Sequence, residues 1–177
     1  MGEIAYRVLD ATWVPRIAAL DRRETVTAEY AVRDGAIVAG ERVIEVPQWS
    51  GEWLDFTLSF VQRELDDGAI FFGAMDGEDL AGLAVVGTRL RGSQQDYVQL
   101  SFLMVSQPYR RQGLATRLME LSKAVAREHG AGYLYISATP LSSAVGFYQS
   151  QGACLAREID PGLVAMGPKD IHMEIRL

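Results

Sequence analysis

The 177-residue chain has a single cysteine, Cys154, so no disulfide can link two of its own segments. That lone thiol reads as a small buried hydrophobe, the common fate of free cysteine. Six prolines and 17 glycines are too few for a low-complexity or collagen-like chain. No apolar run approaches the roughly 20 residues of a membrane span. The start, MGEIAYRVLD, lacks the basic and apolar regions of a signal peptide. Tyr6 stands where a myristoylation motif needs Ser or Thr. A soluble, cytoplasmic protein is the expectation, with no membrane partner. Basic surplus is also missing. The net charge is −6, which argues against nucleic acid as a partner. The two histidines, His129 and His172, show no metal-ligand spacing with each other or with Cys154. Neither G-x-x-x-x-G-K-[ST] nor G-x-G-x-x-G occurs, which leaves an ATP-type loop and a dinucleotide fingerprint unsupported.

What is present is ordinary globular composition, 49% hydrophobic and 23% charged, in a length that suits one domain. The charge is uneven. Residues 1–90 carry 16 acids and 8 bases, whereas residues 91–177 carry 7 acids and 9 bases. The first half suits a cationic partner and the second an anionic one, unless both are simply solvated surface.

Periodicity orders the elements. Ala5–Leu9 reads as a strand, and Trp13 to Glu24 as a helix capped by Asp10 or Thr12. Residues 26–46, broken by Asp34-Gly35, fit a hairpin or an irregular loop. Trp53–Leu65 is an amphipathic helix ended by Gly68; Trp53, Phe56 and Phe60 fall at core spacing, while Trp49 precedes it as a candidate pocket wall. Ala69–Met75 and Leu80–Thr88 form a hairpin, and Tyr97–Val105 is a central strand. Arg111–His129 is the clearest helix, with Gly130 as its stop. Tyr133–Ala138 is a strand. A short helix to Ser150 follows, capped by Ser142 or Ser143, then strands Cys154–Glu158 and His172–Leu177 with a loop between them. The expected fold class is α/β (α+β): one mixed sheet with helices on both faces.

Chemistry concentrates at Leu103-Met104-Val105-Ser106-Gln107-Pro108-Tyr109-Arg110-Arg111-Gln112-Gly113-Leu114-Ala115, where the central strand meets the long helix. The first four N–H groups of a helix lack intrahelical acceptors, and its dipole is positive there. Phosphate oxygens suit that position. Gly113 and Ala115 allow close approach to the backbone, and Arg110 and Arg111 add positive charge.

Arg110-x-x-Gly113-x-Ala115 resembles the [Q/R]-x-x-G-x-[G/A] signature of the GCN5-related N-acetyltransferases. Downstream, Ala144-Val145-Gly146-Phe147-Tyr148-Gln149-Ser150-Gln151-Gly152 is similar to the family's second motif, A-x-x-[FL]-Y-x-x-x-G. The resemblance spans residues 80–158. It implies an acyl-CoA N-acyltransferase fold with about seven strands in a mainly antiparallel sheet. It also implies acetyl-CoA as cosubstrate without a metal. In the division it implies, residues 1–68 form an acceptor-side region, 69–158 the cofactor-binding core and 159–177 a C-terminal strand region.

By the same resemblance, the backbone amides of Arg111, Gln112, Gly113, Leu114, Ala115 and Thr116 hold the pyrophosphate. Leu103, Met104 and Val105 line the pantetheine arm, in a gap between the central strand and Tyr133–Ala138. Arg110, Ser143, Phe147 and Tyr148 complete the cofactor set. The Val105 N–H stabilises the developing oxyanion and Tyr148 protonates the leaving thiolate. Relatives often carry Asn where Leu141 stands and Glu on the strand where Gln99 and Ser101 stand. The base is therefore left among Glu45, Glu52, Asp55, Asp96 and water. The implied acceptor is a small-molecule amine. A protein amine and a non-catalytic acyl-CoA sensor are the alternatives, and a homodimer is the oligomeric expectation.

Overall fold

Segments rich in β-branched and aromatic residues pair into sheets in the computed structural model, which describes residues 2–177. In chain order, β1 is Ile4–Leu9, followed by a 3₁₀ helix, Ala11–Ala19. Then come β2 (Glu24–Arg33), β3 (Ala36–Val46) and α1 (Gly51–Asp66). β4 (Ile70–Asp76), β5 (Asp79–Val86) and β6 (Tyr97–Val105) lead to α2 (Leu114–Glu128). The chain ends with β7 (Tyr133–Ala138), α3 (Ser142–Ser150), β8 (Cys154–Leu155), α4 (Pro161–Met166) and β9 (Ile171–Arg176). Seven strands form one sheet in the order β1-β4-β5-β6-β7-β9-β8, while β2 and β3 form a separate hairpin. The described helices include none long and apolar enough to cross a membrane.

Two cores sandwich the large sheet. On one face α2 and α3 bring Leu114, Leu118, Met119, Val125 and Val145 against Val86, Leu100, Leu134 and Ile136. On the other, the 3₁₀ helix and α1 bring Ile17, Leu20 and Val61 against Phe71, Leu83 and Val85. β6 and β7 are parallel, which requires the α2 crossover between them; every other pairing in this sheet is antiparallel.

Several expectations need correction. The first helix stops at Ala19 because Leu20 is extended and Glu24 already belongs to β2. Residues 26–46 are the hairpin alternative: Asp34 (φ 50°) and Gly35 (φ 73°) make the left-handed turn that matches strand twist. α2 starts at Leu114, not Arg111, because Arg111 (φ 63°) and Gly113 (φ 85°) are left-handed. Neither Ser142 nor Ser143 caps α3, whose cap position is Leu141. The last loop contains α4, which the sequence signals: Asp160 caps it and Pro161 occupies its first position. Cys154 is exposed on the two-residue edge strand β8. Trp53 and Phe56 are 60% and 46% exposed, so they are not core.

At the closed end of β6 a buried carboxylate ties two strands to the segment after β8. Glu174 accepts hydrogen bonds from the Tyr97 hydroxyl, the Arg157 N–H (3.0 Å) and Arg157 Nε (2.9 Å). Removing it strands a buried hydroxyl and a backbone donor. Glu174→Ala is expected to lower stability by about 3 kcal/mol in urea titrations. Burial, and next the Glu174 bond, push the Tyr97 phenol up to about 12. The native state therefore keeps a proton that the unfolded chain loses near 10, so stability should fall as pH rises from about 10 towards 12. Denaturant midpoints across that range check the sign.

Candidate functional site

β6 and β7 share parallel pairing only from Tyr97–Tyr133 to Leu100–Ile136. The next residue of β6, Ser101, is the extra residue of a β-bulge: Val86 faces Leu100 and Val85 faces Phe102. A bulge bends its strand and increases local twist. Beyond it β6 stays with β5 and leaves β7, so a gap opens between residues 101–105 and the end of β7.

The direction of the backbone groups in that gap follows from the antiparallel ladder. Ser106 N–H donates to the Ala81 carbonyl at 2.9 Å. Because bonding alternates along an antiparallel strand, Leu103 and Val105 turn their backbone groups away from β5 and towards the gap. The Val105 carbonyl is taken by Arg110 Nε at 3.0 Å, which leaves the Val105 N–H facing the gap. Met104 points the other way, into the core shared with α1, so its side chain is not a wall of the gap.

Above the gap lies the loop into α2. Gly113 is the helix cap residue and carries no side chain to satisfy the first turn. The first helical acceptor bond there is Arg117 N–H to the Gly113 carbonyl. Among the described residues, the six consecutive N–H groups of Arg111, Gln112, Gly113, Leu114, Ala115 and Thr116 have no acceptor within the chain. The left-handed conformations of Arg111 and Gly113 curl these donors into a nest, continuous with the positive end of the helix dipole. Such a nest fits a diphosphate. The Arg111 guanidinium is exposed beside it, without an ion-pair partner among the described residues.

Arg110 has a different place. Its N–H goes to the Gln107 carbonyl, and its guanidinium holds the carbonyls of Val105, Arg22 and Arg23 and the Glu24 carboxylate (3.0 Å). The expectation of a direct ligand contact is therefore revised: the side chain is spent on holding the loop. Glu24 also accepts from Ser143 Oγ at 3.0 Å. Its carboxylate thus ties the loop after β6 to α3 on the far side of the gap. Ser143 serves that strap.

α3 positions Tyr148 beneath the gap. The side chain is 8% exposed, packs edge-on against Phe147 and makes no hydrogen bond within the protein. Burial, and next the Asp170 charge, push its phenol well above the ordinary range, so it stays protonated. On the opposite face of the sheet, each strand carries a serine one residue past the last parallel pair. Ser101 Oγ donates to Glu64 of α1, and Ser137 Oγ donates to Asp170 at 2.9 Å. The sequence reading missed both carboxylates, and only their partners' register reveals them.

The bases considered from sequence lie elsewhere. Glu52 and Asp55 are exposed at the start of α1. Asp96 stands at the closed end of β6, where its carbonyl accepts from Gly132 and Tyr133. Glu45 accepts from Thr25 on the hairpin. With Asp21, Arg23, Glu24, Val46, Pro47 and Gln107 these two residues frame a cavity of about 490 Å³. Asp21 is held down to about 2 by its bond to Arg23, so it stays ionised. Trp49 donates its indole N–H to the Leu20 carbonyl, which fixes the orientation of its ring.

The Acetyltransferase (GNAT) family model matches residues 21–153. Among solved structures, nourseothricin acetyltransferase superposes with a TM-score of 0.70 at 21% identity, over 99% of each chain. The Thermoplasma acidophilum PaiA N-acetyltransferase, solved with coenzyme A, gives 0.63 at 14% identity over 99% of this chain and 100% of that one. The Escherichia coli ribosomal-protein-S18-alanine N-acetyltransferase gives 0.61 at 18% identity over 98% and 94%. At these identities the likeness is one of fold. No curated protein matches the sequence.

The two arginines of the loop should separate in a stability experiment. Arg110→Ala leaves three carbonyls and Glu24 without their donor and should lower unfolding free energy by about 2–3 kcal/mol. Arg111→Ala should change it by less than about 0.5 kcal/mol. Paired urea titrations decide.

Proposed function

Because the chain belongs to the GNAT family and is therefore an acetyl-CoA-dependent acetyltransferase, we propose that it transfers the acetyl group to a primary amine of a small cationic molecule. The observation that carries the choice of acceptor is the cavity beneath the β2–β3 hairpin. Its volume of about 490 Å³ suits a small ligand. Of its three carboxylates, Asp21 pairs with Arg23 and Glu24 with Arg110, which leaves Glu45 without an arginine partner among the described residues and favours a positive guest.

In this reading the thioester supplies an activated acyl carbon and a leaving thiolate. The nest from Arg111 to Thr116 binds the pyrophosphate and fixes the depth of the cosubstrate. Leu103 and Val105 offer the pantetheine arm the backbone groups that β7 would otherwise take. The Val105 N–H is aimed where negative charge grows on the carbonyl oxygen; one such donor is worth about 10²–10³ in rate. Tyr148, kept neutral by burial, donates its proton to the departing sulfur. Phe147 supports its ring. Holding donor and acceptor in one gap supplies a further large share through proximity.

The reading is tested by thiol release over a panel of nourseothricin, spermidine, free lysine and an alanine-terminated peptide. Preference for the peptide over every small amine rejects the small-molecule acceptor. Tyr148→Phe is expected to lower kcat by about 10²-fold or more with acetyl-CoA affinity unchanged. Since the phenol ionises only at high pH, the wild-type kcat should show no loss from Tyr148 below about pH 10. Gly113→Ala has room for its methyl but is strained at φ 85°. It should weaken acetyl-CoA binding about tenfold by calorimetry and cost about 1–2 kcal/mol of stability.

A further inference from the structure

A primary amine is an ammonium ion at neutral pH and has no lone pair to offer until a proton leaves. The group that takes the proton must lie close to the sulfur that Tyr148 serves, because nitrogen and sulfur share one carbon during transfer. This inference rests on the acetyl-transfer reading above.

We propose that Asp170 is the proton acceptor of the reaction, its carboxylate held by Ser137 at the lip of the gap between β6 and β7. Three observations converge. Ser137 lies on β7 one residue past Ile136, the last residue paired with β6, so the carboxylate it holds stands where the strands have just parted. Ile171 opposite Ala138 and His172 opposite Ser137 place Asp170 one residue before β9, at the same open end of β7. The third comes from α3: Tyr148 is more than nine-tenths buried as a residue, its hydroxyl has no partner within the chain, and it feels the Asp170 charge. A hydroxyl that no protein group engages is available to a ligand. Glu64, the other carboxylate brought to the gap, is secured by Ser101 on the β6 lip and exerts no such influence on Tyr148.

The proton balance closes without another reactant. Asp170 takes one proton from the ammonium and returns it to water. The neutral nitrogen then forms the C–N bond as the C–S bond breaks. The second nitrogen proton is released as the amide forms, and Tyr148, having protonated the sulfur, recovers a proton. The products are the amide, the free thiol and one proton.

The surrounding titratable groups are Tyr148 on α3, His172 on β9, Lys169 beside Asp170, Tyr135 on β7 and Asp160 at the start of α4. Glu29 and Tyr30 lie on β2, which touches β9. Burial lowers the His172 pKa, and its Nδ1 is engaged with the Tyr135 hydroxyl at 2.7 Å. A limb owed to His172 would persist in Asp170→Asn.

The test measures kcat against pH for wild type, Asp170→Asn, Asp170→Glu and Glu64→Gln with the best amine of the panel. Acetyl-CoA affinity and circular dichroism are recorded for each. Asp170→Asn is expected to lower kcat by about 10²-fold or more and abolish the acidic limb, with affinity and fold intact. Asp170→Glu should restore part of the rate and the limb. An unchanged limb in Asp170→Asn overturns the proposal. So does a limb lost in Glu64→Gln alone, or a wild type that binds acetyl-CoA but releases thiol with no amine. Wild type that binds no acetyl-CoA would instead strike the acetyl-transfer reading itself.

Discussion

Four residue pairs, from Tyr97–Tyr133 to Leu100–Ile136, hold β6 and β7 together, and the Ser101 bulge then drives them apart. Most features of the site depend on that parting. An uninterrupted parallel ladder would consume the backbone groups of Leu103 and Val105 and leave no channel beside Tyr148. A bulge costs one unpaired residue in the sheet and gains a strand that bends away from its neighbour. The gap would nevertheless be loose if nothing crossed it. Glu24 crosses it, receiving Arg110 from one side and Ser143 from the other. The residue pairs that make the strap are 86 and 119 positions apart in the chain.

Opposite electrostatics meet at this gap. Above it, six backbone donors and the exposed Arg111 create an anion site from main-chain dipoles, which need no deprotonation to keep their sign. Beside it, Glu45, without an arginine partner among the described residues, favours a cation. Between the two, Tyr148 is held neutral because burial penalises a phenolate. In the proposed reaction, a polyanionic donor and a cationic acceptor would be steered to different sides of one opening.

Much of the architecture was legible before any coordinates. The bounds of β6, β7 and α3 follow from periodicity and flanking glycines because strongly patterned segments leave few alternatives. The loop into α2 was legible for a different reason: any helix start leaves its first donors free, although this one lies at Leu114 and not at Arg111. The errors have physical causes too. Trp53, Phe56 and Phe60 have helical spacing, but periodicity names a face and not what covers it; Trp53 and Phe56 lie largely in solvent. Cys154 was assigned by residue type to the interior, whereas a short edge strand leaves it exposed. Arg110 reads as a phosphate ligand because of its charge, yet neighbouring carbonyls reach its guanidinium first.

The sequence by itself determined the order of elements, a helix start with free donors after the central strand and the tyrosine on the short helix. Each is set by neighbours a few residues apart, through backbone conformation and local periodicity. Only the tertiary structure decided which charged groups stand at the gap. Glu24, Glu64 and Asp170 come from a hairpin, a helix and the approach to the last strand. Strand register, which no local pattern encodes, brings them to Arg110, Ser101 and Ser137.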